Sequence, residues 1–159
     1  MSVPHKESVL VVEDDFIVAK VIEKNLLELG YSVAGLAATG DDAVTKAGSE
    51  RPDLVLMDIH LQGGIDGITA AGKISASFDI PVVFLTAFSD QPTFDRALVT
   101  SPYGYIVKPF SKTTLATTIQ VALNKKQSDQ KKTDVHFWLD RTVSLLSEGI
   151  ITIDSAGRI

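Results

Sequence analysis

Short apolar runs alternate with longer stretches of helical period along the first 124 residues. Ser8 to Val12 predicts a strand, and apolar residues at helical spacing from Phe16 to Leu29 predict a helix that Gly30 closes. Further apolar runs predict four more strands, at Tyr31 to Ala37, Asp53 to Met57, Ile80 to Leu85 and Tyr103 to Val107. Helices are predicted between and after them, at Asp41 to Gly48, Ile68 to Phe78, Gln91 to Val99 and Thr113 to Asn124. This alternation is typical of a parallel sheet with helices on both faces.

Two local features refine this picture. The third run reads Leu-Val-Leu-Met, which implies a strand buried on both faces. Gly63, Gly64 and Gly67 follow it closely and predict a flexible loop.

The pattern changes after residue 124. Residues 125–134, KKQSDQKKTD, contain no apolar side chain and predict a helix end that runs into a solvated linker. Helical spacing returns from Val135 to Leu146, and Ile150 to Ile153 predicts a strand that enters a turn. We therefore expect a first domain at 1–124, a linker at 125–134 and the start of another domain at 135–159.

Composition excludes several classes of function. The net charge of -5 argues against direct nucleic-acid binding, which requires a basic face. The absence of cysteine excludes disulfides, thiolate catalysis and cysteine-ligated zinc. The first apolar run is short and ends in acidic residues, so it predicts neither a signal peptide nor a membrane span. A cytoplasmic protein is expected.

Polar residues follow the predicted strands where each strand ends. Glu13 and Asp14 follow the first strand, Asp58 the third, Thr86 the fourth and Lys108 the fifth. Because the carboxyl ends of parallel strands form the ligand edge of an open α/β sheet, these side chains are expected to lie together.

Such a cluster favours a bound cation and phosphoryl chemistry. Neighbouring carboxylates repel one another unless a cation lies among them, and an all-oxygen set suits Mg²⁺. With the ion bound, one carboxylate can act as the nucleophile toward a phosphoryl group, whose charge the metal, Lys108 and the Thr86 hydroxyl would share.

Four segments carry a family resemblance: Val11 to Asp15 (VVEDD), Leu56 to Asp58 (LMD), Phe84 to Ala87 (FLTA) and Tyr105 to Phe110 (YIVKPF). In this order, each at the end of a predicted strand, they resemble the signatures of response regulator receiver domains over about residues 7–124. The resemblance implies a doubly wound, flavodoxin-like α/β fold with strand order 2-1-3-4-5. It also implies a two-component phosphoacceptor that takes its phosphoryl group from a histidine kinase or phosphotransfer protein. Such a domain is regulatory rather than an enzyme, apart from self-catalysed phosphotransfer and autodephosphorylation.

The resemblance assigns roles to individual residues. Asp58 would be phosphorylated, and the magnesium ligands would be Asp14, Asp58, the backbone carbonyl of His60 and, through water, Glu13. Thr86 and Lys108 would hold phosphoryl oxygens, with a cis peptide at Lys108-Pro109. Tyr105 would be an aromatic switch that follows Thr86, and the readout surface would be the fourth helix, fifth strand and fifth helix.

Simpler interpretations remain for some of these residues. Asp15 is better explained as a helix cap than as a ligand, because acids are favoured at helix N-termini. Tyr105 is also explained as an ordinary half-buried strand aromatic.

The last twenty residues, from Asp140 to Ile159, resemble the opening of a PAS sensor domain, where a helix leads into a strand and a D-x-x-G-R-I turn. An ordinary helix and hairpin is the alternative. The PAS resemblance implies a parent protein in which the receiver acts on a PAS or kinase module further along the chain. Val135, Leu139, Val143 and Leu146 are spaced for a helical seam, which would pair two protomers in a homodimer or pack on its own domain.

Three other functions compete with phosphoacceptance. A flavodoxin-type electron carrier fits poorly, because Glu13, Asp14 and Asp15 would repel the flavin phosphate. A haloacid-dehalogenase-type phosphatase requires an Asp-x-Asp spacing after its first strand, which this chain lacks. A pseudo-receiver that acts only as a phosphorylation-independent interaction module is the remaining alternative.

Overall fold

The fold is a five-stranded parallel sheet with the strand order β2-β1-β3-β4-β5. The strands are β1 (Ser8–Val12), β2 (Ser32–Ala37), β3 (Leu54–Asp58), β4 (Val82–Thr86) and β5 (Gly104–Val107). The computed structural model describes residues 6–61, 63–87, 95–97 and 102–145, and beyond residue 128 it describes the backbone alone. The doubly wound, flavodoxin-like fold expected from the sequence is confirmed.

Helices connect the strands. They are α1 (Phe16–Glu28), α2 (Gly40–Glu50), α3 (Gly67–Phe78) and a C-terminal helix (Lys112–Leu145). Residues 95–97 are also helical and belong to the predicted helix Gln91 to Val99, whose other residues lie outside the described part of the chain. Within the described residues, no helix is both long enough and apolar enough to span a membrane.

Strand β3 is buried on both faces, as its apolar run predicts. In β3, Leu54 and Leu56 belong to one core cluster, whereas Val55 and Met57 belong to another. This alternation follows from the two-residue period of a strand, which points successive side chains to opposite faces. One cluster includes apolar residues of α2 and α3, and the other includes residues of α1 and the C-terminal helix.

Local sequence signals set several helix ends. Asp15 is the N-cap of α1, and its Oδ1 accepts hydrogen bonds from the backbone N–H of Ile17 and Val18 at 3.0 and 3.3 Å. This confirms that Asp15 acts as a cap. Gly30 follows α1 with φ of +96°, a left-handed conformation that glycine adopts without a steric penalty.

The C-terminal helix corrects one prediction. A helix was expected to end at Asn124 and give way to a linker, but the helix runs without a break from Lys112 to Leu145. The polar residues 125–134 are therefore helical, which is consistent with the good helix propensity of their lysines and glutamines. Contacts within the chain divide it into two units, residues 1–124 and 125–159. The strand predicted at Ile150 to Ile153 lies outside the described residues.

Candidate phosphoryl-accepting site

Four strands end beside one another at the carboxyl edge of the sheet. Asp58 and Thr86 are the last residues of β3 and β4, so each of these strands extends one residue further than the sequence predicts. In the parallel pairing, Asp58 is opposite Leu85 and Thr86 is opposite Val107. This register brings the end of each strand to nearly the same level, and the polar residues that follow β1 and β5 reach the same place.

The Asp58 carboxylate is buried and held at both oxygens. The residue is 5% exposed. Its Oδ1 accepts a hydrogen bond from the backbone N–H of His60 at 3.0 Å, and its Oδ2 lies 3.2 Å from the ammonium nitrogen of Lys108. A buried carboxylate requires such partners, since burial without them would be costly. The carboxylate is therefore fixed in place at the edge of the sheet.

Lys108 bridges two carboxylates. Besides Asp58, its Nζ donates to Glu13 Oε1 at 2.9 Å. Burial alone would lower the pKa of Lys108, but the hydrogen bond to Glu13 and the charge of Asp58 raise it above its ordinary value. The Lys108-Pro109 peptide is cis, as predicted, and the backbone N–H of Lys108 donates to the carbonyl of Thr86 at 2.8 Å. Lys108 is therefore a charged ammonium held between the two acids.

Glu13, Asp14 and Asp58 form an acidic cluster in which each residue offers one carboxylate oxygen, and these three oxygens lie within 4.8 Å of one another. Burial and the neighbouring Asp58 raise the pKa of Glu13, although Lys108 opposes this effect. Glu13 Oε2 also accepts a hydrogen bond from the backbone N–H of Asp15 at 3.2 Å. An all-oxygen set of this kind, with excess negative charge, fits Mg²⁺.

Thr86 is the last residue of β4, and Tyr105 is the second residue of β5. Thr86 is 5% exposed, and its hydroxyl donates to the carbonyl of Ala87 at 3.0 Å. Tyr105 is opposite Phe84 in the sheet, and their rings stack with centroids 6.3 Å apart. The Tyr105 ring is half-buried, and its burial raises the pKa of the phenol. The structure therefore brings Glu13, Asp14, Asp58 and Lys108 together, while the Thr86 hydroxyl is bonded within its own loop.

The glycine pattern predicts Gly67 as part of a flexible loop with Gly63 and Gly64, and this is wrong. Gly67 is the buried first residue of α3. Its N–H donates to the carbonyl of Ile59 at 3.2 Å, and a Cβ at this position would overlap the carbonyl oxygen of Asp58. The signal was a third glycine directly before a helical pattern, which indicates a close approach of two backbones as well as a turn.

A doubly wound parallel sheet with this lysine-bridged acidic cluster at its carboxyl edge defines a class of signalling domain. The sequence matches the response regulator receiver domain family over residues 9–120. The chain therefore belongs to the response regulator receiver domain family. Members of this family are regulatory phosphoacceptor domains rather than enzymes.

Individual relatives agree with this assignment. The chain is 38% identical over 117 residues to the transcriptional regulatory protein PdtaR of Mycobacterium tuberculosis, a match that covers 74% of this chain and 57% of that protein. Among solved structures it resembles the N-terminal domain of a response regulator/sensory box/GGDEF three-domain protein from Carboxydothermus hydrogenoformans (TM-score 0.71, 36% identity, 77% of this chain and 98% of that chain).

A third similar structure is the receiver domain of a sensor histidine kinase from Pseudomonas aeruginosa, described with a magnesium ion coordinated in its active-site cleft (TM-score 0.69, 33% identity, 76% of this chain and 99% of that chain). The chain spans about half the length of the curated relatives that it matches.

Proposed function

We propose that this chain accepts a phosphoryl group on Asp58 and thereby switches a module elsewhere in its parent protein. The observation that carries the proposal is the Asp58 carboxylate, which is buried at the strand edge and held by the His60 N–H and the Lys108 ammonium. These partners hold both oxygens of the carboxylate in one orientation, as a nucleophile requires. The bridging lysine adds a positive charge where phosphoryl oxygens would arrive.

The donor is the phosphohistidine of a histidine kinase or a phosphotransfer protein. An oxygen of Asp58 forms a bond to phosphorus while the bond from phosphorus to the histidine nitrogen breaks, and the bonding electrons return to that nitrogen. The product is an acyl phosphate. Lys108 supports the growing negative charge, and the Thr86 hydroxyl leaves the Ala87 carbonyl to donate to a phosphoryl oxygen.

Mg²⁺ is the cofactor of this proposal. Asp14, Asp58 and the backbone carbonyl of His60 would hold it directly, with Glu13 acting through water. When bound, the ion neutralises the carboxylates and the phosphoryl oxygens. Glu13 is already tied to Lys108 and to the Asp15 N–H, which suits it to an indirect role.

Tyr105 would report the change to the surface formed by β5 and its neighbouring helices. Tyr105 is opposite Phe84 on β4, and Phe84 comes two residues before Thr86 on the same strand. This position allows the ring to follow Thr86 when the Thr86 hydroxyl turns. The same packing also fits an ordinary half-buried strand aromatic.

The test is intact mass after incubation with Mg²⁺ and acetyl phosphate. We expect one acid-stable, alkali-labile phosphoryl adduct on the wild type and none on Asp58→Asn. Asp79→Asn is the matched control, because Asp79 is exposed, remote from the site and in the left-handed conformation that asparagine tolerates. This variant should be labelled like the wild type.

A folded wild type that binds Mg²⁺ but gains no adduct would contradict the proposal. That result would favour the pseudo-receiver, an interaction module that works without phosphorylation. An adduct that persists on Asp58→Asn would instead place the modification on another residue.

The wider context of the domain belongs to the same proposal. We place the protein in the cytoplasm, with a receiver at 1–124, a connecting segment at 125–134 and the start of a PAS-like module at 135–159. The similar three-domain protein, whose receiver accompanies a sensory box, supports this order. NMR chemical shifts that give a strand at residues 150–153 would agree with a PAS opening, whereas a helix there would contradict it.

A further inference from the structure

An exposed ion pair joins the N-cap of α3, which follows the strand of Asp58, to the helical residues 95–97, which follow the strand of Thr86. Arg96 lies in the helical residues 95–97 after β4, and its Nη2 donates to Asp66 Oδ2 at 3.1 Å. Asp66 is the N-cap of α3, and its Oδ1 accepts a hydrogen bond from the Thr69 N–H at 2.8 Å. One carboxylate therefore holds both the start of α3 and the helical residues 95–97.

The Asp66 side of this contact is fixed against the backbone of Asp58. Gly67, the next residue, packs so closely under the Asp58 carbonyl that no side chain would fit. Partial burial alone would raise the pKa of Asp66, but hydrogen bonds from Thr69 and Arg96 lower it, so the carboxylate is charged at neutral pH. Arg96 is thus anchored to a part of the fold that cannot shift without moving Asp58.

Arg96 lies after β4, and Thr86, the last residue of β4, must rearrange if the proposed function is correct. The Thr86 hydroxyl now donates to Ala87 in its own loop. To reach a phosphoryl oxygen on Asp58, this hydroxyl must give up that bond, and the end of β4 must rearrange with it. An ion pair that holds residues 95–97 to α3 opposes this movement.

We propose that the ion pair between Asp66 and Arg96 is a restraint on the switch. It stabilises the position that residues 95–97 take without a phosphoryl group, so its removal makes the phosphorylated conformation easier to reach. Arg96 and Asp66 are positioning residues in this scheme, because neither is among the residues placed around the phosphoryl group. The inference rests on the proposed function of Asp58.

Two single variants test the restraint, with beryllofluoride and Mg²⁺ as the phosphoryl mimic and calorimetry as the measurement. Asp66→Asn removes the charge but keeps the cap, since asparagine caps helices as well as aspartate does. Arg96→Gln removes the other partner. Each variant should bind beryllofluoride about 1.5- to 5-fold more tightly than the wild type, the range expected for an exposed ion pair. The double variant should gain no more than either single variant.

The two variants control for each other, because Asp66→Asn makes the net charge more positive and Arg96→Gln makes it more negative. A general charge effect on anion binding would move their affinities in opposite directions. Lys112→Gln breaks another exposed ion pair between elements, with Glu28 at 2.9 Å, and should leave the affinity unchanged. Additive effects, opposite effects or unchanged affinities in the single variants would overturn the restraint.

Failure of the proposed function would look different. In that case the wild type itself would not bind beryllofluoride in Mg²⁺. Amide hydrogen exchange in the free protein then tests whether the ion pair restrains residues 95–97, since both single variants should exchange faster than the wild type at these residues. Equal exchange rates there would overturn it.

Discussion

Replacement of Lys108 by methionine should lower the free energy of unfolding in EDTA by about 3 kcal/mol, as expected when one partner of a buried ion pair is removed. The Lys108 ammonium lies 2.9 Å from Glu13 and 3.2 Å from Asp58, whose side chains are only 2% and 7% exposed. Methionine keeps most of the length of the side chain but leaves the two acids without their cation. One carboxylate must then take up a proton, or the site must open to water.

This loss should depend on pH and on Mg²⁺. Burial and Asp58 already raise the pKa of Glu13, and the substitution removes the opposing effect of Lys108. Because the pKa of Glu13 is raised in the folded state, the variant's loss of unfolding free energy is largest at pH values above that raised pKa. The loss is smallest at pH values below the ordinary pKa of 4.5. Mg²⁺ should restore more stability in the variant than in the wild type, since it supplies the missing positive charge and binds the folded state.

Urea unfolding in EDTA and in Mg²⁺ measures both effects. Lys112→Met is the matched control, because Lys112 pairs with Glu28 at the surface and is 48% exposed. It should unfold at nearly the same urea concentration as the wild type. Equal losses in the two variants, or a Lys108 deficit that Mg²⁺ does not reduce, would show that the ammonium does not compensate the cluster.

Replacement of Gly67 by alanine should destabilise the protein by about 3 kcal/mol, the upper part of the usual cost of overpacking. The new Cβ would overlap the Asp58 carbonyl oxygen and lie 3.0 Å from the Asp58 carbonyl carbon and the Ile59 Cα. All three are backbone atoms, so no side-chain rotation relieves the overlap. The start of α3 and the loop after β3 must move apart, and labelling of Asp58 by acetyl phosphate should slow with that movement.

Gly72 provides the control within the same helix. A Cβ there would meet no atom within 4 Å, so Gly72→Ala should stabilise the protein by about 0.5–1 kcal/mol through helix propensity. Chemical unfolding and the rate of acetyl phosphate labelling test both variants. If Gly67→Ala were as stable as the wild type, the close packing of α3 against Asp58 would not be rigid.

The sheet and the acidic cluster could be predicted from the sequence because both depend on local patterns. A buried parallel strand is a short apolar run, and the polar residue that ends it must lie at the ligand edge. The strand ends predict that Glu13, Asp14, Asp58, Thr86 and Lys108 lie together. In the structure Glu13, Asp14, Asp58 and Lys108 do, while the Thr86 hydroxyl is bonded to the Ala87 carbonyl. The Asp15 cap was predictable for the same reason, since its partners lie two and three residues away.

Other features depend on contacts that local patterns do not contain. The ion pair of Asp66 and Arg96 joins residues 30 positions apart, each of which is an ordinary surface charge in the sequence. The packing of Gly67 under Asp58 depends on where α3 begins in space. The length of the C-terminal helix was underestimated because a polar segment without apolar periodicity gives no sign of whether it continues as a helix.

The division of β3 between two cores has a consequence for how this chain can change. Leu54, Val55, Leu56 and Met57 alternate between the clusters, and Asp58 is the next position in that alternation. A single inserted or deleted residue within the strand would exchange the two sets of side chains and move the nucleophile to the wrong side of the sheet. The number of residues in β3 therefore fixes the face of the sheet on which Asp58 lies. We expect relatives to vary in their loops and helix surfaces rather than in the length of this strand.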